Sequence, residues 1–522
     1  MTVKKSISVF IITTALAACA QIPSTLAPLV AGSNAPQRLF LQQLGSQSVI
    51  IKWRPIKVSD DEVSSESYAC VASAVQGIET ARCETAVLTE ADHQEVLVAN
   101  LKADTEYLYS VDGYAAASLR FRTAPAKGNS PNDGNVHIWV LGDSGTASVN
   151  HKGKAAYGDK SAQVMAGYQH YQKTSGSKPA DMVLMLGDNA YTEGTDEQWQ
   201  LAVFDVFGDV LRQAPLWSTI GNHEMGAGVI DVSLLDAKTA KQLGKTSGEL
   251  VIGGVSTSSD PYSFVSADNR TPRLMPYLDI LSLPANGELG GAPSGTEQYY
   301  SFDYGNVHVV SLDSQLSARD ELQREAMKQW LEADLQTNEL DWTIAIFHHP
   351  VYTKGSHDSD AAAASKYGID QPILDLRAEF TPVFEEYGVD ITFSGHSHTY
   401  ERSWYIHGHR GDAATFSASE HAELNNKGEP AIGHGEEEYH QISVGSQRDD
   451  KVVYTVAGSS GHMKMGHGKL DHPAHAVQQH DPEKRHGLAE MGSVVVDATA
   501  DSLTARFINE KGTVLDTVVI NK

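Results

Sequence analysis

Five apolar runs in this chain each end in a cluster of polar residues, and this arrangement limits the possible folds more than any other feature. In an open α/β sheet, ligand sites gather beyond the carboxyl ends of the strands. The five runs therefore predict strands that bring their polar residues to one rim. The runs are VHIWVL before Gly142-Asp143-Ser144-Gly145, MVLML before Gly187-Asp188-Asn189-Ala190-Tyr191, PLWSTI before Gly221-Asn222-His223-Glu224, WTIAIF before His348-His349-Pro350, and DITFS before Gly395-His396-Ser397-His398.

Each of these motifs is weak alone, because a Gly-Asp after a strand is usually a turn. Together they offer carboxylates, imidazoles, an amide and a phenol, with no thiolate. That set suits iron, zinc or manganese. Two such cations about 3.5–4 Å apart clamp the attacking and leaving oxygens of a displacement and lower the pKa of bound water to about 7. Hydrolysis of a phosphate ester needs that nucleophile and that positive charge.

The ordered set resembles the purple acid phosphatases of the calcineurin-like metallophosphoesterase superfamily. The similarity extends to three further segments and covers nearly the whole chain after its leader. It implies two mixed sheets packed face to face with helices outside, behind an N-terminal fibronectin-like domain. The matching segments are Asp143-Ser-Gly145, Gly187-Asp-Asn-Ala-Tyr191, Gly221-Asn-His-Glu224, His348, Gly395-His-Ser-His398-Thr-Tyr-Glu-Arg402, Leu283-Pro-Ala-Asn-Gly, Tyr299-Tyr-Ser-Phe-Asp303 and His308-Val-Val-Ser-Leu-Asp313.

The resemblance also assigns roles to these residues. The first metal is expected on Asp143, Asp188, Tyr191 and His398. Asp188 is expected to bridge to a second metal, whose other ligands are Asn222, His348 and His396. A phenolate from Tyr191 suits Fe(III), which implies a pair of Fe(III) with Fe(II), Zn(II) or Mn(II). The alternative for Tyr191 is a packing tyrosine that leaves the first site to zinc or manganese.

Three more histidines are expected near the metals. His223 follows Asn222, and the resemblance places it against the phosphate or the nucleophile. His357 falls near the position of a histidine that contacts substrate or protonates the leaving group; its alternative is a solvated loop residue. His349 is interpreted as lining the pocket, where many relatives have another residue.

A change of pattern divides the chain into domains. Residues 36–125 alternate apolar and polar residues, as strands with one buried face do. Leu101-Lys-Ala-Asp-Thr-Glu-Tyr107 resembles the tyrosine-corner region of fibronectin type III domains, with Trp53 as the core tryptophan. Residues 124–134 form a Pro/Gly-rich linker. We therefore predict a β-sandwich at 36–125 and an α/β metallophosphoesterase domain at 135–522, with a helix at 318–336 and surface insertions near 225–260 and 408–450.

The first 35 residues are predicted to lie outside the fold. Residues 1–18 have a basic start and a short apolar run, as a secretory signal peptide does. Leu16-Ala17-Ala18-Cys19 resembles a bacterial lipobox, which implies a lipid on Cys19 and a tether at 19–35; an ordinary signal peptide is the alternative. The protein is then exported, as a periplasmic, outer-membrane or cell-surface lipoprotein. Export makes a Cys70–Cys83 disulfide plausible, and two free buried thiols are the alternative.

The net charge of the chain argues against one class of ligand. The formal net charge of −26 argues against binding a nucleic-acid polymer. We expect a phosphate ester substrate that is attacked by a metal-activated hydroxide without a phosphoenzyme. The first hypothesis is a phosphomonoesterase. A phosphodiesterase or nucleotidase with the same metals is one alternative, and a surface binding protein with structural metals is another.

Six histidines at 462–486 indicate a polar loop over the site mouth or a metal-capturing loop. Oligomeric state is left open.

Overall fold

An N-terminal β-sandwich precedes a larger two-sheet domain. The computed structural model describes residues 35–55, 67–89, 92–146, 159–191, 193–225, 227–231, 249–253, 264–265, 272–273, 275–365, 368–441, 449–466, 469–477 and 486–522. The predicted signal peptide, Cys19 and residues 19–34 of the tether lie outside these residues. No helix in the described ranges is long and apolar enough to cross a membrane.

Two antiparallel four-stranded sheets form the sandwich, with orders β1-β2-β6-β5 and β4-β3-β7-β8. This division of strands is typical of immunoglobulin-like sandwiches and confirms the predicted β-sandwich. Trp53 is fully buried in its core, and the Tyr107 hydroxyl accepts a hydrogen bond from the Lys102 amide at 2.8 Å, as in a tyrosine corner. The strands are β1 Gln37–Gln42, β2 Val49–Arg54, β3 Tyr68–Ser73, β4 Arg82–Thr85, β5 Val87–Leu88, β6 Gln94–Val98, β7 Glu106–Val111 and β8 Arg120–Arg122.

Cys70 and Cys83 lie directly opposite each other on β3 and β4 and form a disulfide. The free-thiol alternative is therefore wrong. A Cys70→Ser/Cys83→Ser variant is expected to lower the free energy of unfolding of the sandwich by about 3 kcal/mol, because the bond restricts the unfolded chain. Hydrogen exchange of β3 and β7 measures the change. Reductant should lower the free energy of unfolding of the wild type to that of the variant and should leave the variant unchanged. A wild type whose stability does not respond to reductant would contradict the prediction.

Two mixed sheets form the larger domain, as predicted. One has seven strands in the order β11-β10-β9-β23-β24-β25-β21, and the other has six in the order β16-β17-β18-β19-β22-β20. In the first, β9, β10 and β11 are parallel; in the second, β17, β18, β19 and β22 are parallel. Their strands are β9 Val136–Leu141, β10 Met182–Met185, β11 Leu216–Ser218, β16 Tyr300–Tyr304, β17 Val307–Ser311, β18 Trp342–Phe347, β19 Ile391–Ser394, β20 Tyr400–Ile406, β21 Tyr439–His440, β22 Val452–Ala457, β23 Gly492–Ala498, β24 Ser502–Asn509 and β25 Val514–Asn521.

One apolar core joins the inner faces of these two sheets. Trp217 of β11 stacks on Phe302 of β16, with ring centroids 3.8 Å apart. A second core lies between the six-stranded sheet and the helices outside it. Among the described residues, the α-helices of the domain are Asp159–Ser175, Asp196–Trp199, Asp205–Leu211, Pro276–Ile280, Glu321–Gln336, Gln371–Glu379, Thr381–Glu386 and Ala418–His421.

The helix predicted at 318–336 begins later than the sequence indicated. Asp320 caps it by accepting a hydrogen bond from the Gln323 amide, and the helix begins at Glu321. Its buried side chains include Met327, Trp330 and Leu331. Leu322, in its first turn, is 82% exposed. Packing against the six-stranded sheet sets the buried face of the helix.

The described parts of the two predicted insertions differ in structure. Residues 225–260 contribute the pair β12 Ala227–Asp231 and β13 Glu249–Gly253, and most of the rest lies outside the described residues; β14 Phe264–Val265 and β15 Pro272–Arg273 follow. Residues 408–450 are not only a surface loop. Their strand β21 pairs with β25 at the edge of the seven-stranded sheet, and Tyr439 is fully buried in the core. An aromatic side chain thus ties this segment to the domain.

Polar contacts join the sandwich to the larger domain. Asp196 accepts hydrogen bonds from Arg38 and Arg54, at 2.6 and 2.9 Å. The Tyr109 hydroxyl donates to the carbonyl of Arg212 at 2.7 Å. Phe40 belongs to the apolar core of the larger domain and lies 4.9 Å from Phe204, ring to ring. The sandwich therefore packs against the region between β10 and β11.

Candidate metal centre

The predicted ligands meet where the two sheets present the carboxyl ends of their parallel strands. Asp143, Asp188 and His396 follow β9, β10 and β19 with φ values of 53°, 54° and 64°. This left-handed region is uncommon for residues other than glycine, and such strain concentrates at functional sites. Three ligand candidates therefore sit in sharp turns that aim their side chains back over the strand ends.

Glycines next to these ligands leave room that no other residue would. A Cβ on Gly395 would lie 2.4 Å from Asp143 Oδ2, and one on Gly221 would lie 2.2 Å from the Asp188 amide nitrogen. Both distances are shorter than real Cβ contacts. The Gly-His and Gly-Asn motifs therefore serve close packing of the ligand loops.

One group of donor atoms surrounds the first predicted site. Tyr191 Oη lies 2.7 Å from Asp188 Oδ2 and 3.3 Å from His398 Nε2. His398 Nε2 also lies 3.4 Å from Asp143 Oδ1. Two carboxylates, a phenol and an imidazole thus converge, and three of these side chains are buried to 7% exposure or less.

A second group shares Asp188 with the first. Asn222 Oδ1 lies 3.1 Å from His348 Nε2 and 3.0 Å from His396 Nδ1. His348 Nε2 lies 3.3 Å from Asp188 Oδ2, the oxygen that also faces Tyr191. Asp188, His348 and His396 together form a group that could hold a metal ion. Oδ2 of Asp188 therefore lies between the two donor groups, where a bridging ligand belongs.

The outer contacts of these side chains test whether the residues suit a cation. His348 Nδ1 is hydrogen-bonded to the Leu186 carbonyl at 2.9 Å, and His396 Nε2 to Asp370 at 2.8 Å, so the other nitrogen of each ring faces the cluster. Metal-binding histidines are held in this way. Burial, with His357 nearby, lowers the pKa of His396 to about 3, which leaves a neutral ring. The residues fit a metal centre.

Charges within the cluster support the same conclusion. Burial disfavours charge on Asp188, yet His348 and His223 hold its pKa well below the ordinary value, so it stays ionised. Burial is likewise outweighed at His348, whose pKa Asp188 raises to about 9. A cation bound there displaces a proton, as metal binding commonly does.

The three additional histidines lie around this cluster. His223 stacks on Tyr191 with ring centroids 3.8 Å apart, and its amide donates to Asp188 Oδ1 at 2.8 Å. The His357 ring contacts the His396 ring at a centroid distance of 3.8 Å, and its Nδ1 contacts Asp370. His349 is fully buried behind His396, with Nδ1 2.9 Å from Ser314 Oγ. His223 and His357 thus border the donor groups, and His349 packs beneath them.

Two residues near the centre were not assigned a role from the sequence. Glu224 is fully buried and accepts hydrogen bonds from the amides of Asp188, Asn189 and Gly221, at 2.6 to 2.8 Å. It braces two ligand loops, and its place in Gly-Asn-His-Glu was an available signal. Asp370 contacts two histidines of the site and has no motif around it.

Two of the histidines at 462–486 are buried in the fold, and one lies beside a predicted ligand. His472 and His475 are fully buried, and His475 Nδ1 lies 3.2 Å from Glu401. His462 lies beside His398, with ring centroids 5.9 Å apart. His467 and His480 lie outside the described residues. No group of metal-binding residues is found among the described members of this segment.

Comparison with known proteins agrees with this site. The sequence matches the calcineurin-like phosphoesterase family over residues 136–400. The chain belongs to this family. The match begins at β9 and ends just past His398, so it contains all seven predicted ligands. A phosphoesterase of this family with a purple acid phosphatase-like ligand set implies a binuclear metal centre.

Several purple acid phosphatases are similar in sequence. Purple acid phosphatase 18 of Arabidopsis thaliana is 26% identical over 239 residues, which is 44% of this chain and 40% of the relative. Acid phosphatase type 7 of Danio rerio is 24% identical over 237 residues, 40% of this chain and 49% of the relative. The alignments thus span less than half the length of either relative.

Two solved structures share the fold over most of this chain. A purple acid phosphatase from yellow lupin (Lupinus luteus) seeds has a TM-score of 0.61 at 18% identity and covers 94% of this chain and 74% of its own. PhoD has a TM-score of 0.54 at 12% identity and covers 94% of this chain and 92% of its own. The likeness at these identities shows the fold.

Proposed function

We propose that this chain hydrolyses phosphate esters, with monoesters as the preferred class, at a binuclear metal centre. The observation that carries the proposal is the pair of donor groups that share Asp188 Oδ2. We assign Asp143, Asp188, Tyr191 and His398 to one metal, and Asp188, Asn222, His348 and His396 to the other. The related acid phosphatases support the reaction class.

Each protein group then has a defined task. Two cations bound there would lower the pKa of water and offset the negative charge of the phosphate. His223, 20% exposed and stacked on Tyr191, is placed to contact a phosphate oxygen. His357 uses Nδ1 for Asp370, so Nε2 is the atom that can hold a proton for the departing alkoxide. Glu224 keeps the Asp188 and Asn222 loops in register.

The test compares one chromogenic monoester with its diester counterpart on purified protein supplied with iron, zinc or manganese. Faster monoester turnover supports the phosphomonoesterase. Preference for the diester would keep the metal centre and favour the phosphodiesterase or nucleotidase alternative. Absence of turnover with every metal would contradict the proposal and favour the binding protein with structural metals.

The metal pair is proposed as Fe(III) with Fe(II), Zn(II) or Mn(II). Burial, together with Asp188 and Asp143, raises the pKa of Tyr191 well above its ordinary value. A strongly polarising cation such as Fe(III) favours loss of that proton. Hard oxygen ligands in this first group are consistent with it.

The Tyr191→Phe variant tests this assignment by colour. Iron-loaded wild type is expected to show a visible phenolate-to-iron absorption band, and the variant is expected to lose it while retaining iron. Absorption spectra with parallel iron analysis measure both. Tyr68→Phe, at a 39% exposed tyrosine of the sandwich, is the matched control and should keep the band. A coloured Tyr191→Phe protein would exclude Tyr191 as the ligand.

We further propose export, with a signal peptide at 1–18, a lipid on Cys19 and a tether at 19–35. The disulfide between Cys70 and Cys83 supports an oxidising compartment. The domain limits proposed are 36–125 and 135–522. Mass spectrometry of the mature N-terminus tests the lipid: a diacylglyceryl cysteine supports it, and an unmodified residue 19 contradicts it.

A further inference from the structure

Asp370 joins two histidines of the site through a single oxygen atom. Its Oδ1 lies 2.8 Å from His357 Nδ1 and 2.8 Å from His396 Nε2. The two imidazole rings are in contact, with centroids 3.8 Å apart and a tilt of 30° between their planes. The Asp370 side chain is 13% exposed, so this oxygen has little contact with water. One carboxylate therefore holds both a candidate metal ligand and the candidate leaving-group acid.

The backbone around Asp370 is fixed from two sides. Arg319 donates to the carbonyls of Gly368 and Ile369, at 2.7 and 2.8 Å. The Asp370 amide donates to Ser365 Oγ at 3.0 Å. The carboxylate thus belongs to a braced turn at the start of the helix Gln371–Glu379, and its position does not depend on the histidines alone.

Each of the two hydrogen bonds decides which nitrogen of a ring is available. A carboxylate accepts, so His396 donates from Nε2 and leaves Nδ1 for the second metal group. His357 donates from Nδ1 and leaves Nε2 for the substrate side.

We propose that Asp370 is a positioning residue that couples the proton-donating His357 to the second metal group through His396. This inference rests on the proposed phosphate ester hydrolysis. The Asp370 oxygen faces the two imidazoles, and it acts by setting the ring orientation and tautomer of both.

Two effects should follow from its loss. Residues that hydrogen-bond a metal-binding histidine typically contribute a factor of about 10–100 in metal affinity. Asp370→Ala is therefore expected to lower the affinity of the second site for its metal by about that factor. Misplacing His357 should slow the hydrolysis of esters with poor leaving groups more than that of esters with good leaving groups, because only the poor leaving groups need a proton donor. A merely structural defect would slow both classes equally.

The experiment compares Asp370→Ala and Asp370→Asn with Asp375→Asn in the full-length protein. Asp375 lies on the same helix, is 20% exposed, lies 3.9 Å from Arg324 and accepts a hydrogen bond from Gln371. A titration with Mn²⁺ alone measures the affinity of the second metal site. The turnover number is then measured for aryl and alkyl monoesters whose leaving groups differ in basicity. A ¹⁵N-histidine spectrum, assigned with His357→Gln, reports the tautomer of His357.

Support requires weaker Mn²⁺ binding, a larger loss for alkyl than for aryl esters, and a changed His357 tautomer in Asp370→Ala, with Asp375→Asn unchanged. Asp370→Asn retains an oxygen and should lose less. A change in Mn²⁺ affinity without a change at His357, or a change at His357 without a change in Mn²⁺ affinity, would overturn the proposed coupling. If the wild type cleaves no phosphate ester, the proposed function fails, and the Mn²⁺ titration and the tautomer still decide the role of Asp370.

Discussion

Replacing Asp188 by asparagine is expected to lower kcat/KM for a phosphate monoester about 10³-fold. Asp188 Oδ2 is the atom common to both donor groups, with contacts at 2.7 Å to Tyr191 and 3.3 Å to His348. Asparagine keeps the shape, but it lacks the negative charge and places a donor amide where one oxygen was. Losing several kcal/mol of charge stabilisation corresponds to about this factor in rate.

Metal analysis accompanies the rate measurement. Asp188→Asn should bind less than two metals per chain at concentrations that saturate the wild type. Asp209→Asn is the matched control, because Asp209 is 83% exposed and pairs with Arg212 at the surface, where ion pairs contribute little. Full activity of Asp188→Asn with normal metal content would refute the two-metal assignment.

Replacing His308 by glutamine is expected to destabilise the larger domain by about 3–5 kcal/mol near pH 6, as breaking a buried ion pair does. His308 lies on β17 and is 2% exposed. Its Nδ1 is 2.8 Å from Asp303 and its Nε2 is 2.9 Å from Asp334. The ring thus ties β17 to the neighbouring strand and to the helix Glu321–Gln336. Its removal takes the shared cation away from two buried carboxylates, of which Asp303 retains Lys127 and Asp334 retains the hydroxyl of Ser301.

The same residue makes stability depend on pH. Burial opposes the charge, but hydrogen bonds with Asp303 and Asp334 raise the pKa of His308 to about 9, above the ordinary 6.5. Because the folded pKa is the higher one, this contribution is complete below pH 6.5 and is lost as pH rises through 9. The difference in Tm between wild type and His308→Gln should therefore shrink from pH 6 to pH 10.

Thermal unfolding across that pH range measures the effect. His434→Gln, at an exposed histidine, should follow the wild type at every pH. A difference in Tm between wild type and His308→Gln that stays constant from pH 6 to pH 10 would show that His308 contributes by packing and not by charge.

The fold and most of the centre were predictable because their signals are local. Each predicted ligand stands within a few residues of the end of a buried strand, and parallel strands bring those ends to one rim. The alternating residues around Tyr107 likewise indicated a sandwich. By contrast, the buried face of the helix Glu321–Gln336 and the edge strand at Tyr439 depend on what packs against them, which no local spacing records.

The sequence by itself indicated the proposed reaction class, the seven ligand candidates and a β-sandwich ahead of a two-sheet domain, since short motifs record both residue type and position at a strand end. The tertiary structure alone decided which side chains orient those ligands. Asp370 lies 26 residues from His396, and Asp143 lies 253 residues from the His396 amide that binds it. Contacts between such distant residues exist only after the sheets have packed, because chain folding and not sequence spacing sets the distance between them.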